Sequence, residues 1–404
     1  MLLHTIAGLY EISGGPSRTT LALCEELGNL NVAVHVVTQR SRRVEGNYRV
    51  PNPDHVATCY VDCYYLPRPR FAYSPRFRSV VRQICVDRHV DILHDHGIWL
   101  PNNHAAIGVA RERNIPLVVS PRGMLEPWSL AYRAWKKRIA WTLYEKRDLA
   151  SARAFCATSI EEATSIRKCG CRQPIAVVPN GVEVPASAGP RWTKSVPKTA
   201  LFLSRIHPKK GLLLLVEAWK RAQPPNWRVV VAGPDEGGHR RIVERAVSEA
   251  GLRYAFDFVG PADDSAKGAL LRQADVLILP TMSENFGVVI AEALAYMVPV
   301  IATTGVPWSG LADHACGWWV RPEVGEIARA IREVAALSDS EREAMGMRGR
   351  LWVEREFSWP SAAKRMLSVY EWIVNGGRAP DCVMDNTHVR YSLPARSHSS
   401  HARS

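Results

Sequence analysis

Along the chain, short apolar and β-branched runs alternate with stretches of helical period from Leu2 to about Val374, the pattern of parallel sheets covered by helices. The first series predicts strands at Leu2 to Ile6, Val32 to Thr38, Asp91 to His94, Pro116 to Ser120, Ala154 to Thr158 and Ile175 to Val178. Between them, a helix is expected over Ser17 to Leu27 after Gly14-Gly15-Pro16. Another opens at Ser159, where Ser159-Ile160-Glu161-Glu162 has capping-box spacing. Val184 to Pro197, rich in Pro, Ser, Ala and Gly, reads as a linker. A second series follows at Thr199 to Leu203, Arg228 to Ala232, Asp257 to Val259, Val276 to Leu279 and Val298 to Ala302. Trp359-Pro360-Ser361 starts a last helix, and Gly376 to Ser404, poor in apolar residues, is expected to be disordered. The expected fold class is therefore α/β: two Rossmann-like doubly wound domains, 1–185 and 198–360, facing a central cleft. Ligands of such folds sit at the carboxyl ends of the strands, so the chemistry is sought there.

With 404 residues the chain exceeds what one core supports, which agrees with two domains. The net charge of +13 predicts an anionic partner: nucleic acid, an acidic membrane surface or a phosphorylated small molecule. No RNA-binding signature or zinc finger is present, so nucleic acid is not expected. The opening residues read as a strand rather than a signal peptide, and Ala274 to Pro280, among the longest apolar runs, is only strand-length. These features predict a cytoplasmic protein, soluble or peripheral on the inner face of the membrane. The nine cysteines lack paired CxxC spacing, and although Cys59 and Cys63, and Cys169 and Cys171, form two close pairs that raise the metal question, no metal site is expected.

Two loops carry the strongest chemical signal. Pro280-Thr281-Met282-Ser283-Glu284-Asn285-Phe286-Gly287 runs from a strand into the helix that contains Glu292. There the backbone N–H groups of Asn285, Phe286 and Gly287 are expected to be free at a helix start, where phosphate binds, and Gly287 permits close approach. Glu284 and Glu292 could then meet a sugar and a ribose, or be a dipole-favoured acid and a solvated one. Leu203-Ser204-Arg205-Ile206-His207-Pro208-Lys209-Lys210-Gly211 places Arg205 and Lys210 just past another strand. Aimed at a departing diphosphate, the two cations would stabilise the transition state more than the ground state. The alternative has Lys209 and Lys210 capping a turn and facing water. Gly14 and Gly15, between the first strand and helix, offer close backbone approach without forming a GxGxxG motif, while His96 and Arg122 follow other strands at the same edge.

The Gly14-Gly15 loop, Pro179-Asn180-Gly181-Val182, Arg205 to Lys210-Gly211 and the E-x7-E pair Glu284 and Glu292, in this order, resemble the family 4 glycosyltransferases of the GT-B fold from Leu3 to about Val374. The resemblance implies retaining transfer of a sugar from a nucleotide diphosphate donor, usually without a metal or other cofactor. It places Arg205 and Lys210 on the diphosphate, Glu284 on the transferred sugar and Glu292 on the ribose. It also implies that the last helix, 361–375, crosses back to the first domain. Pro307-Trp308 and Cys316-Gly317-Trp318-Trp319-Val320 are similar to a subgroup that assembles surface polysaccharides, which suggests exopolysaccharide or lipopolysaccharide synthesis and a saccharide or lipid-linked acceptor. Many relatives carry a histidine near the sugar where this chain has Arg122; the arginine is open to an acceptor phosphate, a donor oxygen or a pairing with Glu126. A nucleotide-sugar epimerase and a catalytically idle scaffold remain alternatives on the same fold.

Trp128 to Arg147 mixes aromatics with cations. It is read as a domain helix whose Trp135, Ile139 and Leu143 pack on the sheet, in preference to a helix lying on an anionic bilayer.

Overall fold

The computed structural model describes residues 1–10, 15–41, 49–66, 71–186 and 197–384. The first domain is built on β1 (Leu2–Ile6), β2 (Val34–Arg40) and β3 (Val56–Asp62), followed by a small hairpin of β4 (Tyr64–Leu66) and β5 (Phe71–Tyr73). It continues with β6 (Ile92–His96), β7 (Leu117–Ser120), β8 (Ala154–Ala157) and β9 (Ile175–Val177). The second contains β10 (Lys198–Leu203), β11 (Trp227–Ala232), β12 (Phe256–Gly260), β13 (Val276–Leu279), β14 (Val300–Thr303) and β15 (Gly317–Val320), and β16 (Val383–Met384) returns to the first. The sheet orders are β16-β9-β8-β7-β6-β1-β2-β3 and β12-β11-β10-β13-β14-β15. All strands in these two sheets are parallel except β16, which runs antiparallel to β9. The strand order reverses between β1 and β6 in one sheet and between β10 and β13 in the other, so each has one switch point.

Both sheets are covered on both faces, which is why their strands read as continuous apolar runs. Leu3 and Leu93 face the helices Phe77–Asp87 and Pro101–Glu112, whereas Leu2, Ile6 and Ile92 face the helices Gly15–Asn29 and Trp359–Asn375. In the second sheet Phe202 and Leu203 likewise belong to opposite cores.

The chain crosses back where Val182 N–H donates to the Phe357 carbonyl at 2.8 Å. Gly181 has no Cβ, and one there would lie 2.4 Å from the Trp359 ring, so a side chain would open the crossing. The Trp359–Asn375 helix then buries Ala362, Ala363, Met366, Val369, Tyr370 and Ile373, one face at helical spacing, in the first domain's core.

Three differences from the sequence reading have physical causes. The edge strand β3 was not anticipated because its burial is partial and irregular. The expected disordered tail, 376–404, is placed as far as Met384: Cys382, Val383 and Met384 are apolar, and the last two cover the free edge of β9. Residues 385–404 lie outside the described residues.

The third difference is the Trp128 to Arg147 segment, which is not one core helix. It breaks into Pro127–Ala131, Ala134–Ala140, a π-helical turn Trp141–Glu145 and Lys146–Ala150, with Arg133 left-handed at φ 52°. The break and the π-turn reset the helical phase. Leu130, Trp141 and Leu149 therefore meet the core, while Trp135, Ile139 and Leu143 are 63%, 52% and 74% exposed.

Met366 is wholly buried and its sulfur lies 3.8 Å from Cys156 Sγ. Met366→Ala should cost about 2–5 kcal/mol of first-domain stability, read as a lower urea midpoint. A loss below ~1 kcal/mol would show that this core does not depend on the returning helix.

Candidate active site

The two switch points face each other, and the loops leaving β1, β7, β10 and β13 line a cleft of about 350 Å³ that includes Gly15, Thr19, Arg122, Asn180, Arg205, Lys210, Glu284, Asn285, Phe286 and Gly287. The structure thus brings together most of the residues selected from sequence. Gly15 opens the Gly15–Asn29 helix and Gly14 lies outside the described residues.

On the second-domain wall, a three-residue turn, Pro208–Lys210, ends at Gly211 with φ 74°. A Cβ at Gly211 would lie 1.9 Å from the Pro280 carbonyl oxygen, so glycine is what lets the basic and acidic loops touch. Lys210 is buried and ion-paired with Glu284, which excludes the solvated-turn reading. Arg205, more exposed, pairs with Glu236, and Lys209 lies over the Trp128 ring at 4.4 Å. Glu292 pairs with Lys267 at 2.7 Å and lies 3.7 Å from Arg18, which also reaches Asp264 at 2.7 Å across the cleft. Neither glutamate is the solvated residue of the bland alternative.

The backbone N–H groups of Asn285, Phe286 and Gly287 make no backbone hydrogen bond among the described residues, and Gly287 is left-handed at φ 75° before the helix Val288–Ala295. Trp308, buried against the Phe286 and Phe357 rings, donates its indole N–H to the Phe286 carbonyl and fixes this loop from behind. That is what Pro307-Trp308 contributes structurally.

On the first-domain wall, Glu162 ties the β7 loop to the β8 loop. Its carboxylate accepts from Gly123 N–H at 2.6 Å and from Thr158 N–H at 2.8 Å. The capping box is therefore only half formed: Ser159 Oγ caps the Glu162 N–H, and Glu162 is used elsewhere. Arg122, left-handed at φ 55°, donates to Asn180 Oδ1 at 2.9 Å, His96 Nδ1 at 3.0 Å, Thr20 Oγ1 at 3.3 Å and Thr19 Oγ1 at 3.4 Å. It makes no salt bridge with Glu126. That carboxyl instead faces the Asn285 amide at 3.0 Å, with nitrogen towards it when it is ionised.

Below Arg122 lies a network of buried imidazoles. Because Arg122 donates to His96 Nδ1, His96 carries its proton on Nε2 and donates it in a hydrogen bond to His4 Nδ1 at 2.9 Å. His94 bridges Tyr370 Oη at 2.6 Å and Ser120 Oγ at 2.8 Å. His4, His94 and His96 are the one group among the described residues spaced to hold a metal ion. Their lone pairs, however, are largely committed to hydrogen bonds, and the Arg122 guanidinium repels a cation at this point. The cysteines Cys59, Cys63, Cys169 and Cys171 are free thiols.

Lys267, Arg18, Glu236, Glu126, Glu162, Thr158 and Asn180 were not selected as site residues. Asn180 lay in the quoted Pro179 to Val182 motif and Glu162 in the capping-box motif, where it was read as a local cap. Most of the others acquire a role by meeting a partner distant in sequence.

Two family models match the chain, "Glycosyltransferase Family 4" over residues 13–184 and "Glycosyl transferases group 1" over residues 191–352. A GDP-mannose:cellobiosyl-diphosphopolyprenol alpha-mannosyltransferase of Xanthomonas campestris is 25% identical over 325 residues, 79% of this chain and 82% of that one. A phosphatidyl-myo-inositol mannosyltransferase of Mycobacterium leprae is 28% identical over 329 residues, 76% and 80% of the two chains. The fold matches a sucrose-phosphate synthase of Thermosynechococcus elongatus with TM-score 0.73 at 20% identity, over 93% of this chain and 99% of that one. The chain belongs to the family 4 glycosyltransferases and has the GT-B fold. It is therefore an enzyme of sugar transfer, and the epimerase and idle-scaffold alternatives are set aside.

Burial raises three carboxyls of the first domain: Asp95 to about 7 despite hydrogen bonds from Thr5 and Asn103, Glu126 to about 7 with help from Glu162, and Glu145 to about 8. Burial lowers His4 to about 3 and holds His94 and His96 well below their usual value. The native state therefore binds more protons at the carboxyls from about pH 4.5 to 8, whereas the unfolded state binds more at the histidines below about 6.5. The two effects oppose each other in acid, and towards pH 8.5 the buried thiols Cys24, Cys85, Cys156, Cys171 and Cys316, raised by burial, act in the same sense as the carboxyls. Stability should fall as pH rises from 6.5 to 8.5, seen as a declining melting midpoint, with a shallower decline in Glu145→Gln. A flat or rising midpoint would contradict the carboxyl assignment.

Proposed function

We propose that this enzyme transfers a sugar, with retention of configuration, from a nucleotide diphosphate donor to a hydroxyl of a saccharide or lipid-linked saccharide, in exopolysaccharide or lipopolysaccharide synthesis. The observation that carries this reading is the buried Lys210 paired with Glu284 at the meeting of the two switch points. The cations expected to hold the diphosphate, Lys210 and Arg205, are paired with Glu284 and Glu236. An arriving diphosphate competes for Lys210 and Arg205, which frees Glu284 for the sugar hydroxyls. Glu292, beside Lys267, takes the ribose, and the N–H groups at Asn285 to Gly287 face the anion.

As the bond from the anomeric carbon to the phosphate oxygen breaks, charge grows on the leaving group and the two cations gain interaction energy. The acceptor oxygen bonds to the anomeric carbon on the same face, and its proton passes to the departing phosphate. No protein nucleophile is needed. Glu162 is committed to the Gly123 and Thr158 backbone, and Glu126, raised by burial, sits beside Asn285. Such an enzyme differs from retaining glycosidases, which form a covalent carboxylate adduct.

Lys210→Ala should lower turnover roughly 10²-fold or more. The diphosphate's own binding is read by thermal shift with UDP, GDP and ADP, since a ligand of the native state raises the midpoint. The shift should be largest for one nucleotide and lost in Glu292→Ala. Normal turnover in the lysine variant, or no shift with any nucleotide, would remove the donor-site reading.

We further propose that the enzyme works on the inner membrane face. No helix among the described residues is long and apolar enough to cross a bilayer. The outward face of the 127–150 segment, however, combines Trp135, Ile139 and Leu143 with exposed Lys136, Arg138, Lys146 and Arg147. Beneath it, Trp99, Leu130, Ala134 and Trp141, with Lys137 and Arg138, line a largely apolar cavity of about 710 Å³. Trp128, stacked on Tyr132 and capped by Lys209, joins this face to the cleft. Both the apolar and the cationic residues favour an anionic interface. The protein should sediment with vesicles containing phosphatidylglycerol and not with pure phosphatidylcholine. The double variant Trp135→Ser, Leu143→Ser should stay in the supernatant. Equal sedimentation of the two proteins would reject this face.

A further inference from the structure

Arg122 stands apart from the other cations of the cleft. Lys210, Arg205 and Lys267 each pair with a carboxylate. Arg122 bonds to two threonine hydroxyls, an asparagine carbonyl and an imidazole, all neutral. Its Nε is out of solvent and has no partner, and no carboxylate among the described residues lies within salt-bridge distance. Glu162 is the nearest acid to influence it, but both of its oxygens are occupied by the Gly123 and Thr158 groups.

A guanidinium taken out of water without a counter-charge is costly, and four neutral acceptors offset only part of that cost. The fold adds to it by holding Arg122 in a left-handed backbone conformation that a β-carbon disfavours. Pro121 and Gly123 flank it, and a Cβ at Gly123 would lie 3.1 Å from Asn285, so this loop abuts the acidic loop that carries Glu284. A neutral hexose hydroxyl placed there would be served equally well by an uncharged donor. A fixed, desolvated fork of N–H groups suits a carboxylate or phosphate.

We propose that Arg122 selects a substrate bearing an oxyanion, the carboxylate of a uronic acid or a phosphate, on the saccharide bound next to Glu284 and Asn285. The inference rests on the donor-site reading above and adds the charge class of the substrate. The anion completes the neutralisation of a cleft in which Lys210 and Arg205 exchange a carboxylate for the diphosphate when donor binds and Lys267 stays beside Glu292. The neutral histidines below it act as a pedestal: His96 accepts from Arg122 at Nδ1 and donates from Nε2 to His4, so no negative charge satisfies the guanidinium from beneath.

Two sources of the anion are separable by titration calorimetry on the wild type, Arg122→Gln and Arg122→Lys. The donor arm compares UDP-glucose with UDP-glucuronate and GDP-mannose with GDP-mannuronate. The acceptor arm titrates inorganic pyrophosphate into protein saturated with UDP or GDP, which closes the donor's own diphosphate site. A uronate preference of roughly tenfold or more in the wild type, absent in Arg122→Gln and weakened in Arg122→Lys, supports the inference with the anion on the donor sugar. Pyrophosphate binding to the saturated wild type, lost in Arg122→Gln, supports it with the anion on the acceptor. If nucleoside diphosphate binds all three proteins and neither arm depends on Arg122, the inference is overturned. If the wild type binds no nucleoside diphosphate, the donor-site reading falls first. Unchanged unfolding midpoints in the two variants confirm that they are folded.

Discussion

Two parallel sheets that end against each other impose the constraint on which this molecule depends. At a switch point the strands diverge, and the loops leaving them cannot hydrogen-bond as a ladder, so their polar groups must be satisfied by side chains or ligand. Here two such points face one another. The backbone at Gly123 and Thr158 is met by Glu162, the carbonyl of Phe286 by Trp308, and the N–H groups of Asn285 to Gly287 are left without a backbone partner. These N–H groups, which the loops do not satisfy with backbone, are the ones the proposed function assigns to an anion. The charges follow the same logic, because Glu284 and Glu292, the carboxylates proposed for sugar and ribose, are each paired with a cation, Lys210 and Lys267. The cleft's cations are thereby held in fixed positions by their own carboxylates.

The returning helix keeps that geometry. Its buried face, from Ala362 to Ile373, is part of the first domain's core together with Trp359, while Trp352, Val353 and Phe357 just before it pack in the second. Tyr370 on this helix reaches His94 at the end of the imidazole network that supports Arg122. Packing that joins the domains and hydrogen bonding that orients a cleft residue thus meet on one element. A change in the crossing at Gly181 and Trp359 would be felt at the floor of the cleft by contact rather than through a distant route.

The fold was legible because parallel strands buried on both faces leave unbroken apolar runs, and the main strands of both domains announced themselves in that way. Lys210, Glu284 and Gly287 were legible because each loop concentrates its signal within a few residues of a strand end. The partner of Glu292 was not. Lys267 is an ordinary helical lysine until the fold places it 2.7 Å from that glutamate. Glu162 misled in an instructive manner, since the spacing after Ser159 fits a local cap and the side chain instead reaches the loop before it. Sequence spacing states which backbone groups a carboxylate can reach, and tertiary contact decides which of them it takes.

The same competition explains the exposed aromatic face. Counted at four-residue spacing, Trp135, Ile139 and Leu143 form an apolar stripe that any regular helix would bury. A left-handed Arg133 and a π-turn at Trp141–Glu145 shift the phase, and the stripe turns outward while Leu130, Trp141 and Leu149 take its place inside. A helix irregularity of this kind has an energetic cost and is over-represented at functional positions. Here it gives the segment a second apolar surface: Trp141 closes the cavity from within, and the displaced stripe lies outside it among Lys136, Arg138 and Lys146. A regular helix through the same residues would have buried one of these surfaces in the domain and left only cations facing out. Charge alone would then draw the enzyme towards an anionic interface without anchoring it, because attraction to headgroups is screened by salt whereas inserted aromatic area is not.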